Sequence, residues 1–399
     1  MPTLPYTAQE LEDSLLALAQ HMWIAGCRRR RQARLHGVRR RRALRPRAME
    51  TALLVFAAAP LLRTTRSRIG PERLSLARLQ RESAAVGGDE HVLVRDIYSR
   101  FGVRLADLPD FIHALQLPAG FRLRGRHVVS GEEAALITLR RFKSAGSATS
   151  LAWECGRSES AISEAHAAVV DHIHTAFPHL VDSRSFSSFV PLFPRFAAAF
   201  VAEGVPVPNL VGFVDGKLWE TARPVRGQQM YYSGHKRCHG VKIQGLVFPN
   251  GIQPWPFGPV HGSRHDSFML RQSGLMHILR LCCGVGQTYC LFGDSAYPQS
   301  AYLYRIYRGV LAPWQTAFNQ SMSRYRVSVE WGFGKISKLW PWLDVAKSQL
   351  LLRRDYGKYL QVGNILTNMH TCLYGSIVNS KFGLSPPALH VYMAGGPYP

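Results

Sequence analysis

From residue 91 onward the chain settles into a helical rhythm of apolar and polar positions. VRDIYSRFG (94–102), LPDFIHALQLP (108–118) and SGEEAALITLRRFKS (130–144) repeat apolar residues three and four apart, which predicts three amphipathic helices. Ser130 and Glu133 predict a capping box at the start of the third. In residues 147–177 a short helix over 149–154 stops at Gly156, and a second begins near Ser158 with Ile162, Ala165, Val169 and Ile173 on one stripe. Two readings fit this pair. One is a helix-turn-helix whose second helix turns Arg157, Ser158, Glu159 and Ser160 toward a DNA major groove, and the other is a helical bundle packed on the domain that follows.

After residue 205 the period shortens. LVGFVDGK (210–217) and YCLFGDSAYP (289–298) are apolar runs that each end in an acid, which predicts buried strands with Asp215 and Asp294 at their C-terminal tips. Between them, Lys242, Gln244 and Leu246 alternate with Val241, Ile243 and Val247 before a turn at PNG, predicting a hairpin. A third strand leads to GPVHGSRHDS, and Asp266 is placed to cap a helix over 267–281. RVSVEWGFGKISKLW (326–340) predicts a helix that carries Glu330, with Arg326 one turn earlier. Pattern alone supports a mixed α/β fold.

Two strand-end acids and one helical acid, drawn from distant segments and converging, are the parts of a metal-dependent nuclease. Such a trio holds a pair of divalent cations about 3.5–4 Å apart, and its hard oxygen ligands suit Mg²⁺ or Mn²⁺. A single Asp after a strand is more often a turn or cap residue, so the inference rests on the combination of Asp215, Asp294 and Glu330. His235, Lys236 and Arg237 form a basic patch at the hairpin start, suited to a DNA backbone. Arg326 either orients Glu330 by an i, i+4 ion pair or contacts phosphate.

The words carrying these acids resemble the PIF/Harbinger transposases and the nucleases derived from them. The resemblance runs from about residue 210 to 374. It includes VDG (214–216), YYSGHKRCHGVKIQGLVFPNG (231–251), GPVHGSRHDSFMLRQSGL (258–275), GDSAYP (293–298), FNQSMSRYRVSVEWGFGK (318–335) and LTNMHTCLYG (366–375). Between Asp294 and Glu330 lie 35 residues, a separation similar to that of other DDE transposases. The resemblance implies an RNase H-like α/β catalytic domain preceded by a helical region, and a DDE triad of Asp215, Asp294 and Glu330. It further implies auxiliary roles for His265 and Asp266, multimeric action on DNA and a Myb-like DNA-binding companion. One position departs: Lys217 stands where the family has a small residue. If the strand continues through Gly216, the lysine shares a face with Asp215, and its ammonium competes with the cation.

Charge adds a partner to this picture. A formal net charge of +23 and a pI near 10.2 draw the chain toward phosphate. Residues 28–47 hold 11 arginines and no acid, predicting a disordered basic arm that clamps DNA, directs the protein to the nucleus, or both. The seven cysteines include no CxxC pair and read as reduced thiols rather than a zinc clasp. TAQE (7–10) reads as a capping box, not a secretory leader, and ALLVFAAAPLL (52–62) is too short to span a bilayer, so no membrane is expected. The expected organisation is a basic extension over 1–90, a helical region over 91–180, the DDE domain over 205–375 and a tail over 376–399. Of a different class is a domesticated chromatin or DNA-binding protein that keeps the charged scaffold and has lost catalysis.

Overall fold

The structure, a computed structural model, describes residues 72–85, 90–124, 127–283, 288–351 and 353–398. Pro71–Pro399 form one compact unit; the arginine run and the 7–10 capping box lie outside the described residues. Helix α1 (Leu76–Ala85) opens the unit inside the stretch expected to be an unstructured extension. It is held there because Leu79 and the preceding Leu74 are buried and Arg78 donates to the Glu154 carbonyl at 3.1 Å. Next come α2 (Glu90–Phe101), α3 (Leu108–Ala114), an antiparallel ribbon of β1 (Gly120–Arg122) and β2 (Val128–Ser130), and α4 (Gly131–Lys143). The Ser130 hydroxyl accepts the Glu133 N–H at 3.1 Å, half of the expected capping box. The Glu133 carboxylate turns away, toward Arg157.

Helices α5 (Ala148–Cys155) and α6 (Glu159–Ala176) meet at Gly156, whose φ of 64° closes the first of them. The stripe of Ile162, Ala165, Val169 and Ile173 is buried as its spacing predicts. It packs inward with Phe142 of α4, whose ring lies 5.9 Å from both Trp340 and Trp342 beyond the sheet. The helices therefore form a bundle that shares a core with the α/β region. Helices α7 (Ser183–Ser187) and α8 (Phe193–Ala202) belong to Ser183–Ala202, a segment long and apolar enough to cross a membrane. Its phenylalanines are already committed to the interior: Phe186, Phe189, Phe193 and Phe196 surround Phe248 at 5.0 to 6.0 Å, each ring contributing about 1.5–3 kcal/mol by burial.

The sheet is built from β3 (Leu210–Glu220), then, after the short α9 (Gln228–Tyr231), β4 (Tyr232–Ser233), β5 (Cys238–Val247) and β6 (Phe257–His261). Helices α10 (Asp266–Ser273) and α11 (Leu275–Cys282) precede β7 (Cys290–Phe292) and β8 (Leu303–Tyr304). The strand order is β4-β5-β3-β7-β8 with β6 also on β5; β3, β5 and β6 run antiparallel, while β3, β7 and β8 run parallel. This mixed α/β sheet is consistent with the RNase H-like fold that the resemblance implies. Two expectations change here. Strand β3 runs on to Glu220, so Asp215 sits inside it rather than at its tip, and the helix expected over 267–281 is broken in two at Gly274, where φ is 66°.

The long helix α12 (Pro313–Leu339) crosses one face of the sheet. Gly245, opposite Asp215, permits the close approach: a Cβ there would lie 2.5 Å from the Phe333 ring. Helix α13 (Tyr356–Tyr374) follows, and residues beyond it fold into α14 (Ile377–Phe382) and α15 (Leu389–Ala394) where a tail was expected. Burial of Phe382 and Tyr392 holds them down, and the Tyr392 hydroxyl is bonded to Asn368 at 3.0 Å.

Candidate functional site

The register of two strands brings the first two acids together. Phe213 pairs with Phe292 in parallel, so two residues on, where β7 has ended, Asp294 comes alongside Asp215. The Gly216 N–H donates to the Asp215 carboxylate at 2.8 Å. Asp294 accepts the Ala296 N–H at 2.8 Å, which fixes the turn after β7. The third acid is Asp266: carboxylate oxygens of Asp215, Asp266 and Asp294 all lie within 4.8 Å of one another.

Asp266 arrives from the other face of the sheet. It is the first residue of α10 and makes no cap; His265 occupies the N-cap without a side-chain bond and is exposed. The carboxylate instead accepts from Lys242 Nζ at 2.9 Å, both side chains being 16% exposed. It fits over Gly216, where a Cβ would come within 2.6 Å of Asp266 Oδ1 and of the Met269 methyl. Sequence reading placed Asp266 as a helix cap or in an auxiliary role and passed over Lys242. The signal was available in hindsight: Lys242 is a lysine within an alternating, largely buried strand, and such a charge requires a partner.

Glu330 stands apart from the three. Its carboxylate accepts from Arg326 at 3.1 Å, and the other end of the same guanidinium lies 3.6 Å from Asp215. Of the expected trio, Asp215 and Asp294 lie in this cluster with Asp266, while Arg326 stands between Asp215 and Glu330. The physical reason is that Arg326, one helical turn from Glu330, neutralises two carboxylates at once. The Arg326 guanidinium is accordingly turned to these two acids.

Lys217 does share the face of Asp215, as an unbroken strand requires, but it points away along α12. Its Nζ donates to Ser337 Oγ at 2.6 Å, lies 3.8 Å from Asp344 and sits 3.8 Å from the Trp219 ring centroid.

Electrostatics at the cluster favour a bound cation. Burial lifts Asp215 to about 6, with Asp294 and Asp266 adding to the rise and the Gly216 N–H and Arg326 opposing it. Beneath lies Tyr297, 1% exposed, its hydroxyl without a hydrogen-bond partner among the described residues. Burial, then Asp266, Asp215 and Asp294, hold its phenol well above the usual range, so it remains a neutral donor. An all-carboxylate oxygen set with mutual repulsion and an unused donor nearby fits a hard divalent cation such as Mg²⁺ or Mn²⁺, and not a softer metal that prefers nitrogen or sulfur.

The remaining expected DNA contacts divide. His235, Lys236 and Arg237 form the exposed turn between β4 and β5, with no ion pair among the described residues. Arg157 does not face outward: it is bonded twice to Glu133 at 2.7 Å, both side chains 7% exposed. Ser158 caps α6 by accepting the Ala161 N–H at 3.2 Å. The Arg157 guanidinium, expected to face a groove, is engaged by Glu133, and the Ser158 hydroxyl is committed to its own helix.

No curated protein and no solved structure matches this chain. Residues 214–368 do match a family model, described as DDE superfamily endonuclease. The match takes in Asp215, Asp266, Asp294 and Glu330, so the stretch that assembles the acidic cluster is similar to a transposase-type nuclease that acts on DNA.

Proposed function

We propose that this chain is a metal-dependent DNA endonuclease of the PIF/Harbinger type, with an RNase H-like catalytic core. The observation that carries the reading is the convergence of three carboxylates from β3, α10 and the end of β7 within 4.8 Å, inside the matched stretch. Asp215, Asp266 and Asp294 would hold Mg²⁺ or Mn²⁺, with Glu330 one arginine away as a fourth ligand. When bound, a pair of such cations supplies an activated water or 3′-hydroxyl and stabilises the leaving oxygen of an in-line displacement.

The chain's own residues prepare that chemistry. Lys242 holds Asp266 in place from the second face of the sheet, and Tyr297 offers a neutral hydroxyl below the acids. Arg326 lies between Asp215 and Glu330, and a phosphate entering the site offers its guanidinium another partner, which frees Glu330. His235, Lys236 and Arg237 contact the DNA backbone, and the arginine-rich segment of residues 28–47 adds nonspecific affinity and nuclear import. Action as a homo-oligomer with a Myb-like companion belongs to the same reading.

The test is nicking of supercoiled DNA by purified protein in Mg²⁺ or Mn²⁺, beside Asp294→Asn. Metal-dependent nicks lost in the variant support the reading. DNA binding without nicking at any metal concentration defeats it in favour of a domesticated DNA-binding protein, the reading that the Arg326 bridge across Asp215 and Glu330 favours.

A further inference from the structure

The loop after β8 joins two features that the metal site does not explain. Arg305 donates to the Ser295 carbonyl at 3.3 Å and Arg308 to the Ser295 hydroxyl, and Ser295 directly follows Asp294. Neither arginine takes part in an ion pair among the described residues. Beside them stands Trp314, 61% exposed at the start of α12, its ring 5.2 Å from Tyr307 and set at 77° to it. Tyr307 is itself fixed, because the Asn319 side chain accepts its N–H at 2.8 Å and donates to its carbonyl at 3.0 Å. The loop and the start of α12 thus present an indole backed by a fixed tyrosine, on a segment whose arginines reach the residue after Asp294.

A large exposed aromatic face on a segment whose two guanidinium groups have no acidic partner among the described residues is complementary to a ligand that is anionic and flat. We infer that Trp314 is a stacking platform for an unpaired base of the DNA strand held at the acids, with Arg305 and Arg308 on the adjoining phosphates. This rests on the nuclease reading for the identity of the strand. Tyr307 supports the indole edge-on and leaves a face for the base, and stacking of this kind tolerates any base because every base has a π-face.

The full-length protein is titrated, in EDTA so that nothing is cut, into a fluorescently labelled thymidine oligomer and into an abasic sugar–phosphate oligomer of equal length. Trp314→Ala is expected to weaken binding of the thymidine oligomer by about five- to hundredfold and leave the abasic oligomer unaffected. Arg308→Gln is expected to weaken both and to reduce the slope of log affinity against log salt by about 0.7. Trp314 is exposed, so the substitution leaves the core intact. Equal effects of Trp314→Ala on the two oligomers, or none, overturn the inference, as does a change confined to self-association in sedimentation, which would make this a protein-binding face. Failure of the two readings is separable. Base discrimination in a protein that never nicks DNA sinks the nuclease alone, and nicking without discrimination sinks the platform alone.

Discussion

Replacing Lys217 by Thr tests whether the ammonium opposes the cation or braces the fold. If it opposed the cation, Thr would raise metal-dependent cleavage. The structure argues otherwise, since the ammonium bonds Ser337 at 2.6 Å and lies 3.8 Å from the Trp219 ring centroid, on the stretch of β3 beyond Asp215. A hydrogen bond to a charged group contributes about 1.5–3 kcal/mol and a partly desolvated cation–π contact about 0.5–2. Asp344 adds less than about 1 kcal/mol, because its side chain is 44% exposed. Against these stands the desolvation of an ammonium that is 24% exposed, which lowers its pKa and offsets part of the gain. The expected net loss on Lys217→Thr is about 1–3 kcal/mol, or roughly 1.5–4 °C in melting temperature for a unit of this size. Thermal unfolding monitored by tryptophan fluorescence reads the first quantity, and a metal titration of DNA nicking reads the second. Tenfold more nicking at unchanged stability would refute the argument and restore Lys217 as an inhibitor.

Gly216→Ala places a methyl carbon 2.6 Å from Asp266 Oδ1, so it should cost about 1–3 kcal/mol in overpacking and lower Mn²⁺ affinity by calorimetry some 10–100-fold; unchanged affinity would remove Asp266 from the metal site. Arg157→Gln leaves Glu133 buried and unpaired and should destabilise the protein by about 3–5 kcal/mol in urea unfolding while DNA affinity holds. Weaker DNA binding at unchanged stability would return Arg157 to the groove. The metal-free protein should lose stability as pH rises. Asp215 titrates at about 6 in the fold, above its ordinary 3.8, so the extra proton stabilises the folded state fully below the lower value, and this is lost through the higher one, at most about 3 kcal/mol. Urea midpoints in EDTA at pH 4.5 and 7.5 check this, and Asp215→Asn should flatten the difference.

The legible part of this chain was its periodicity, and the illegible part was the pairing of its charges. The stripe of α6 and the hairpin of β5 and β6 follow from spacing, because burial of apolar area outweighs local alternatives. The bounds of β3 were missed because an acid after an apolar run looks like an end, whereas β5 pairs with β3 as far as Glu220 and carries it through Asp215. Glu133 shows the difficulty for charges: the capping-box spacing was present, yet a guanidinium 24 residues away offered two short bonds in place of one backbone N–H.

The same competition decides the third acid. Spacing selected Glu330, which is exposed on α12 one turn from Arg326, and geometry selected Asp266, which reaches the cluster only because Gly216 lacks a side chain. Arg326 separates the two outcomes by bonding Glu330 and lying 3.6 Å from Asp215. An i, i+4 pair on an exposed helix face contributes only about 0.3–0.5 kcal/mol, a small barrier beside the attraction of a divalent cation or a phosphate. Under the proposed function, the carboxylates read from the sequence and those assembled in the fold are therefore one site, divided by a contact weak enough for the substrate to break.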